Sequence, residues 1–280
     1  MSTSFTSGRR LRRLVMTAVV ALIAVVINLP LLNALNVSFK TDGEIATSPL
    51  APAGHPTLEH FANALGAAGY DFPAFFANST MIACGTVVLV LLVAVPSSYA
   101  VVRLGWGGRW VLSGVAALRL LPAIFFAVPF YLLFSFVGLL DTVAGLMLVN
   151  TFLNLPLAMV LLAAGLRDLP VQVEEAAAVD GASDYRILTS IVTPMLAPSL
   201  VAVSVLTFLF TWADYLFAVV VSTTRATPVT VGAANFVTSY GIRWGDVSAA
   251  TLLSALVPIV FAVAAQRYLV SGLSMGAVKG

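Results

Sequence analysis

Arg119, Asn150, Asn154 and Asp214 stand inside long apolar runs of this 280-residue chain, where polar groups need partners. Arg119 offers a fork of five donors and Asp214 a pair of acceptor oxygens. The two asparagines, one helical turn apart, put donors and acceptors on one face. Such a set binds, pairs or gates; it does not break bonds by itself. A second concentration of polar residues is the island Glu174-Glu175-Ala176-Ala177-Ala178-Val179-Asp180-Gly181-Ala182-Ser183, followed by Ile191 and Pro194. Neither Lys40 nor Lys279, the two lysines, sits in a G-x-x-x-x-G-K-[ST] phosphate loop, so ATP hydrolysis belongs elsewhere. Cys84 has no partner for an intrachain disulfide, is too little for a zinc site, and reads as a small buried hydrophobe.

The elements that hold these residues must be membrane helices. Sixty per cent of the chain is hydrophobic, 9% is charged and the mean hydropathy is +1.02, more apolar surface than a soluble domain can hide. Six runs are long enough to span: 14–37, 75–100, 110–134, 142–164, 198–222 and 249–269. The first follows Arg9-Arg10-Leu11-Arg12-Arg13 but is too long for a signal-peptide core and lacks a small-x-small cleavage site, so it reads as a retained anchor. Asn28, Pro30 and Asn33 interrupt it and invite a kink. With the N-terminus inside, ten of the 14 Lys and Arg fall in inside segments, three (Lys40, Arg225, Arg243) fall outside, and Arg119 lies within a span. That bias predicts both ends in the cytoplasm. A net charge of +2 gives no reason to invoke nucleic acid.

The loop at 165–197 is therefore cytoplasmic, and its residues predict a peg. Asp168 and Pro170 signal a helix start, and Ala176, Ala177 and Ala178 continue a helix with little side-chain bulk. Gly181 ends it, and Ser183 or Asp184 caps a second helix. There Ile187, Leu188, Ile191 and Val192 share an apolar face. Pro194 and Pro198 turn the chain back toward the bilayer.

Glu175-Ala176-Ala177, three residues, Gly181, nine residues, Ile191 and then Pro194 resemble the EAA loop of bacterial ABC importer permeases, with Thr193 where leucine is usual. Gly138-Leu139-Leu140-Asp141-Thr142, Asn154-Leu155-Pro156, Trp212-Ala213-Asp214-Tyr215 and the ending from Gln266 to Gly280 resemble carbohydrate-importer permeases of the MalG type, although Ala213 stands where asparagine is common. The resemblance implies an all-α, MetI-like type I ABC importer permease of six transmembrane helices, N-in and C-in, in the inner membrane. It implies a tail at 1–13, a permease domain at 14–270 and a second tail at 271–280. Its partners would be a second permease, two ATPase subunits and an extracytoplasmic sugar-binding protein. The chain would bind no cofactor, ATP and Mg being held by the ATPases. A secondary carrier would want more intramembrane carboxylates than Asp214, and a scaffold would not need a peg of small residues.

Within that frame Glu175, Ala176, Ala177, Asp180, Gly181, Ile191 and Pro194 are expected to couple to the ATPase. Arg119, about ten residues into its span and roughly 15 Å deep, either lines the path and meets sugar hydroxyls or pairs with Asp214. Asn150 and Asn154 either bind sugar or tie helices together, and Trp212 and Tyr215 offer a sugar platform or an interfacial anchor. In related permeases the outside loop 223–248, here with Gly232, Gly241, Trp244 and Gly245, reaches into the binding protein, and the tail Gly276–Gly280 lies against the ATPases.

Overall fold

The computed structural model describes residues 4–66, 71–222, 224–238 and 241–274. Helix α1 (Ser4–Ser38) runs through Pro30, and no residue of its most apolar stretch is buried. A helix that is apolar all round has lipid or other protein as its solvent. α2 (Asp42–Thr47) opens on a capping box between Thr41 and Glu44, and α3 (Glu59–Gly66) follows. α4 (Phe72–Val102) starts where the Asp71 carboxylate accepts the Ala74 amide. Then come α5 (Gly108–Ala117), α6 (Ala127–Val137) and α7 (Val143–Asp168), the last capped by the Thr142 hydroxyl on the Gly145 amide. Four short or broken pieces succeed them: α8 (Val171–Val179), α9 (Asp184–Ile187), α10 (Thr193–Met195) and α11 (Ala197–Trp212). α12 (Leu216–Val221), α13 (Val229–Gly232) and the hairpin β1 (Val237–Thr238) and β2 (Gly241–Ile242) lead to α14 (Trp244–Ser274). In the hairpin Val237 faces Ile242 and Thr238 faces Gly241.

The chain divides into two compact units, residues 1–70 with 236–253, and residues 71–235 with 254–280. The first holds a buried polar network. Lys40, fully buried, donates to the Ser48 and Pro49 carbonyls at 2.6 and 3.1 Å. The His60 ring lies 2.7 Å from Asp246 Oδ1 and 2.9 Å from the Lys40 carbonyl, and Arg243 closes on Asp246 Oδ2 at 2.6 Å. Burial is tolerable because each charge meets an opposite charge or a backbone carbonyl. In the second unit α4 lies along α7 and α11, with Val90 and Ala94 against Ala158, Met159, Leu162 and Val203. A second cluster joins Phe134, Leu146, Val149, Phe217 and Val221.

Among the described residues four helices are long and apolar enough to cross a membrane, or six spans if each of two bent pairs counts as one. The bent pairs are where the structure departs from the six expected runs. The run 110–134 is not one helix: Trp110–Leu120 and Ala123–Val137 meet at 99°. Pro122 lacks an amide hydrogen and pushes Leu121 out of helical geometry, to ψ 131°. The run 198–222 is split as well, into α11 and α12 around Ala213–Tyr215, and Asp184–Met195 meets Ala197–Trp212 at 77°. Pro198 has no amide with which to continue the helical ladder there. Cys84, expected to be buried, is exposed on α4 in a stripe with Met81, Val88 and Leu92. On a membrane helix an apolar residue gains no advantage from facing inward. The tail Gly276–Gly280 lies outside the described residues.

Candidate functional site

The peg is built from its turn outward. α8 ends in a Schellman arrangement: Ala182 N–H bonds the Ala177 carbonyl at 2.9 Å and Gly181 N–H bonds the Ala178 carbonyl at 3.0 Å. Gly181 has φ +84°, and a Cβ there would meet nothing within 4 Å. Glycine thus supplies the left-handed turn rather than room. Ser183 caps α9 through the Arg186 amide, Ile187 and Val192 are buried, and Ile191 is half-buried in a π-helical turn at Leu188–Val192. Asp168, expected to start the peg, instead closes α7, and Pro170 precedes α8 without a side-chain cap.

Glu175, Ala176, Asp180 and Pro194 are exposed, and Ala177 is half-buried against Tyr99, Leu166, Ile187, Val192 and Leu196. At the tip Val179 and Tyr185 are 88% and 77% exposed on either side of Gly181. The neighbouring Glu174 does the opposite. It is buried, and its carboxylate takes Arg103 Nε at 2.7 Å. Arg103 Nη2 also donates to the Leu166 and Leu169 carbonyls at 2.7 and 3.1 Å. The sequence assigned no role to Arg103, or to Glu174 beyond its place in the polar island, although a lone arginine ending an apolar run is a signal that could have been used.

Four of the six expected path residues converge. Arg119, Asn150, Asn154 and Asp214 line one cavity of about 430 Å³ with Pro122, Phe126, Phe152 and Phe210. It opens where Pro122 breaks the third run, so the break itself makes the space. Arg119 lies over the Phe210 ring, 5.7 Å from its centroid, and forms no ion pair among the described residues. The alternative in which Arg119 pairs with Asp214 is therefore not the one adopted. Asp214 instead accepts from Asn150 Nδ2 at 3.1 Å and from the Phe217 amide at 3.3 Å, restarting the chain as α12. Asn154 donates to the Asn150 carbonyl at 2.9 Å and to Thr211 Oγ1 at 3.4 Å.

Trp212 and Tyr215 do not line the cavity. Trp212 is buried, stacked on Phe208, and donates Nε1–H to the Ser254 carbonyl at 3.1 Å, so the platform expected of it is not available within this chain. Tyr215 is half exposed elsewhere. No group of three or more His, Cys, Asp or Glu side chains among the described residues could hold a metal.

A further arrangement lies beyond the start of α7. Asp141, at φ +55°, accepts the amides of Thr224, Arg225 and Ala226 and the hydroxyls of Ser222 and Thr224, at 2.8 to 3.3 Å. Asp tolerates that left-handed backbone better than most residues. Partial burial pushes its carboxyl up, but the Arg225 and Thr224 donors outweigh that and hold it well below the usual carboxylate range. Ser222, Thr224, Arg225 and Ala226 are thereby pinned beside the α7 N-terminus.

A family profile described as "Binding-protein-dependent transport system inner membrane component" matches residues 92–275, most of the second unit and its cavity and peg. The chain belongs to this family. It is 31% identical over 279 residues, the full length of both chains, to a probable ABC transporter permease of Sinorhizobium fredii. To the trehalose/maltose transport system permease MalG of Thermococcus litoralis it is 32% identical, over 96% of this chain and 98% of the relative. A solved bacterial ABC transporter involved in import of the acidic polysaccharide alginate shares the fold, with a TM-score of 0.77 at 21% identity, covering 93% of this chain and 97% of the other. This permease is accordingly an inner-membrane transport subunit of an ABC importer, distinct from the ATPase.

Proposed function

We propose that this chain is one of two homologous permease subunits that form a path for a sugar, or a related polyol or glycoside, delivered by an extracytoplasmic binding protein. Two ATPase subunits, holding ATP and Mg, drive it through the peg. The chain crosses six times, with Trp110–Leu120 and Ala123–Val137 together as the third span and α11 with α12 as the fifth, the permease domain at 14–270, and both tails (1–13 and 271–280) in the cytoplasm. The observation that carries the coupling role is the tip of the peg. Val179 and Tyr185 stay exposed around Gly181 on a segment whose base is anchored, as suits a surface that docks on protein. The sugar class is supported by the relative's transport of trehalose and maltose. It is also supported by a cavity that sets amide groups, a guanidinium and a carboxylate beside aromatic rings, the mixture that polyhydroxylated solutes require.

Topology is tested in a Cys84→Ser background with Ser48→Cys and Ser183→Cys. A membrane-impermeant maleimide should label the first from outside and the second only after permeabilisation. Outside labelling at position 183 would sink the arrangement, since an extracytoplasmic peg meets no ATPase. Binding measurements on the cognate binding protein against a sugar panel identify the solute, and no binding by any sugar or polyol would remove that class.

A further inference from the structure

Two adjacent acids in the peg have opposite fates, and the buried one reaches back into the helical body. Glu174 lies in the first turn of α8, with its side chain 9% exposed against 12% for Arg103. Burying a carboxylate is expensive unless it is paired and hydrogen-bonded. Arg103 supplies both. The same guanidinium holds the Leu166 and Leu169 carbonyls at the end of α7, where the Leu166 carbonyl also accepts the Leu169 amide at 3.2 Å. Positive charge is favoured at that helix end. One side chain, rooted at the end of α4, therefore grips the end of α7 and the start of the peg together.

Covalent linkage alone would not do this. Only Leu169 and Pro170 separate α7 from α8, and such a link fixes where the peg begins but not its direction. A planar guanidinium with donors on two sides does fix direction. From Leu166 the rigid α7 runs back to Asn154 and Asn150, roughly 18–24 Å along the helix axis. We propose that the Arg103–Glu174 pair is the joint that turns displacement of the peg into displacement of α7, and so reshapes the cavity; Arg103 is a positioning residue for coupling. The proposal rests on the reading of the chain as an ATP-driven permease.

The test uses the whole importer, in lipid, in a Cys84→Ser background with Leu153→Cys as reporter on the cavity wall. A small water-soluble methanethiosulfonate is the probe, and its labelling rate is compared with and without trapping by ATP, Mg and vanadate. In the otherwise unmodified complex, trapping should change the rate. Glu174→Gln keeps size and an acceptor but loses the charge, and should shrink that change about tenfold while vanadate trapping persists. Arg103→Lys keeps the charge but cannot grip all three acceptors at once, and should shrink it about threefold. Arg167→Gln, at an exposed arginine nearby, should leave it intact. An undiminished change in Glu174→Gln would overturn the joint, as would loss of assembly in either pair variant, which would make the pair a folding element only. A reference complex that traps vanadate without altering the labelling would instead count against the ATP-driven reading itself.

Discussion

Each end of α7 is fastened by one carboxylate, and the two fastenings differ in kind. Near the N-terminus, Asp141 is met, among the described residues, by three main-chain amides and two hydroxyls from Ser222, Thr224, Arg225 and Ala226. Near the C-terminus, Glu174 is met by a long side chain whose Nη2 donors are spent on main-chain carbonyls. Main-chain amides cannot rotate away without unfolding their segment, whereas an arginine can lengthen, tilt and re-pair. The first arrangement suits a part that must keep its shape, the second a part that must move. Between them lie Asn150 and Asn154, in contact with Asp214 and Thr211.

The largest expected effect lies at the moving end. Gly181→Asp places a side chain at φ +84° and a charge on an already acidic tip, so transport and binding-protein-stimulated ATP hydrolysis should each fall at least about tenfold while the chain still inserts. Gly181→Ala carries only the backbone strain of about 1–2 kcal/mol and should be milder. Normal transport in Gly181→Asp would remove the peg from the mechanism. At the fixed end, Asp141→Ala leaves the amides of Thr224, Arg225 and Ala226 without their acceptor. Unfolding free energy should drop by roughly 2–3 kcal/mol, with fast hydrogen exchange confined to the amides of 224–226. Persistent protection there would show that the clamp is not what holds the segment.

Between the ends, transport by single and double mutants separates contact from proximity. Asn150→Ala and Asp214→Ala should be non-additive by about 0.5–3 kcal/mol, because the side chains touch. Arg119→Ala and Asp214→Ala should add to within about 0.5 kcal/mol, and a strong interaction between them would restore the ion pair. The smallest expected effect is that of pH on the clamp. A depressed carboxyl contributes fully above the ordinary Asp value of ~3.9 and is lost only as pH falls through its lower folded value. Protection of the amides of 224–226 should therefore be flat from about pH 7 to about pH 5, and a loss across that range would mean that Asp141 is not held ionised.

What could be read beforehand follows from how each feature is encoded. The helices around 72–102 and 143–168 are long uninterrupted apolar runs, and their lengths are visible without any packing. Gly181 was legible because a small set of residues, glycine first, accepts positive φ. The broken third run was not, because a hydropathy average passes over Pro122 while the backbone does not. Glu174 and Glu175 are chemically identical neighbours, and only burial separates them. The Asp141 clamp was hidden for a deeper reason: the amides of Thr224, Arg225 and Ala226 that it accepts belong to the main chain, which every residue but proline offers alike.

The bare surface of α1 bears on how the protein is made. Its apolar stretch, Arg12–Ser38, has a mean hydropathy of 2.6 and none of its most apolar window is buried. Partition into lipid is therefore driven by that segment's own composition, with nothing owed to the helices translated after it. It can enter the bilayer while the ribosome is still synthesising α4. For this helix, biogenesis and final structure ask for the same property, an unbroken greasy cylinder; for α7, held at both ends, the finished contacts arrive only when residues 222–226 have been made.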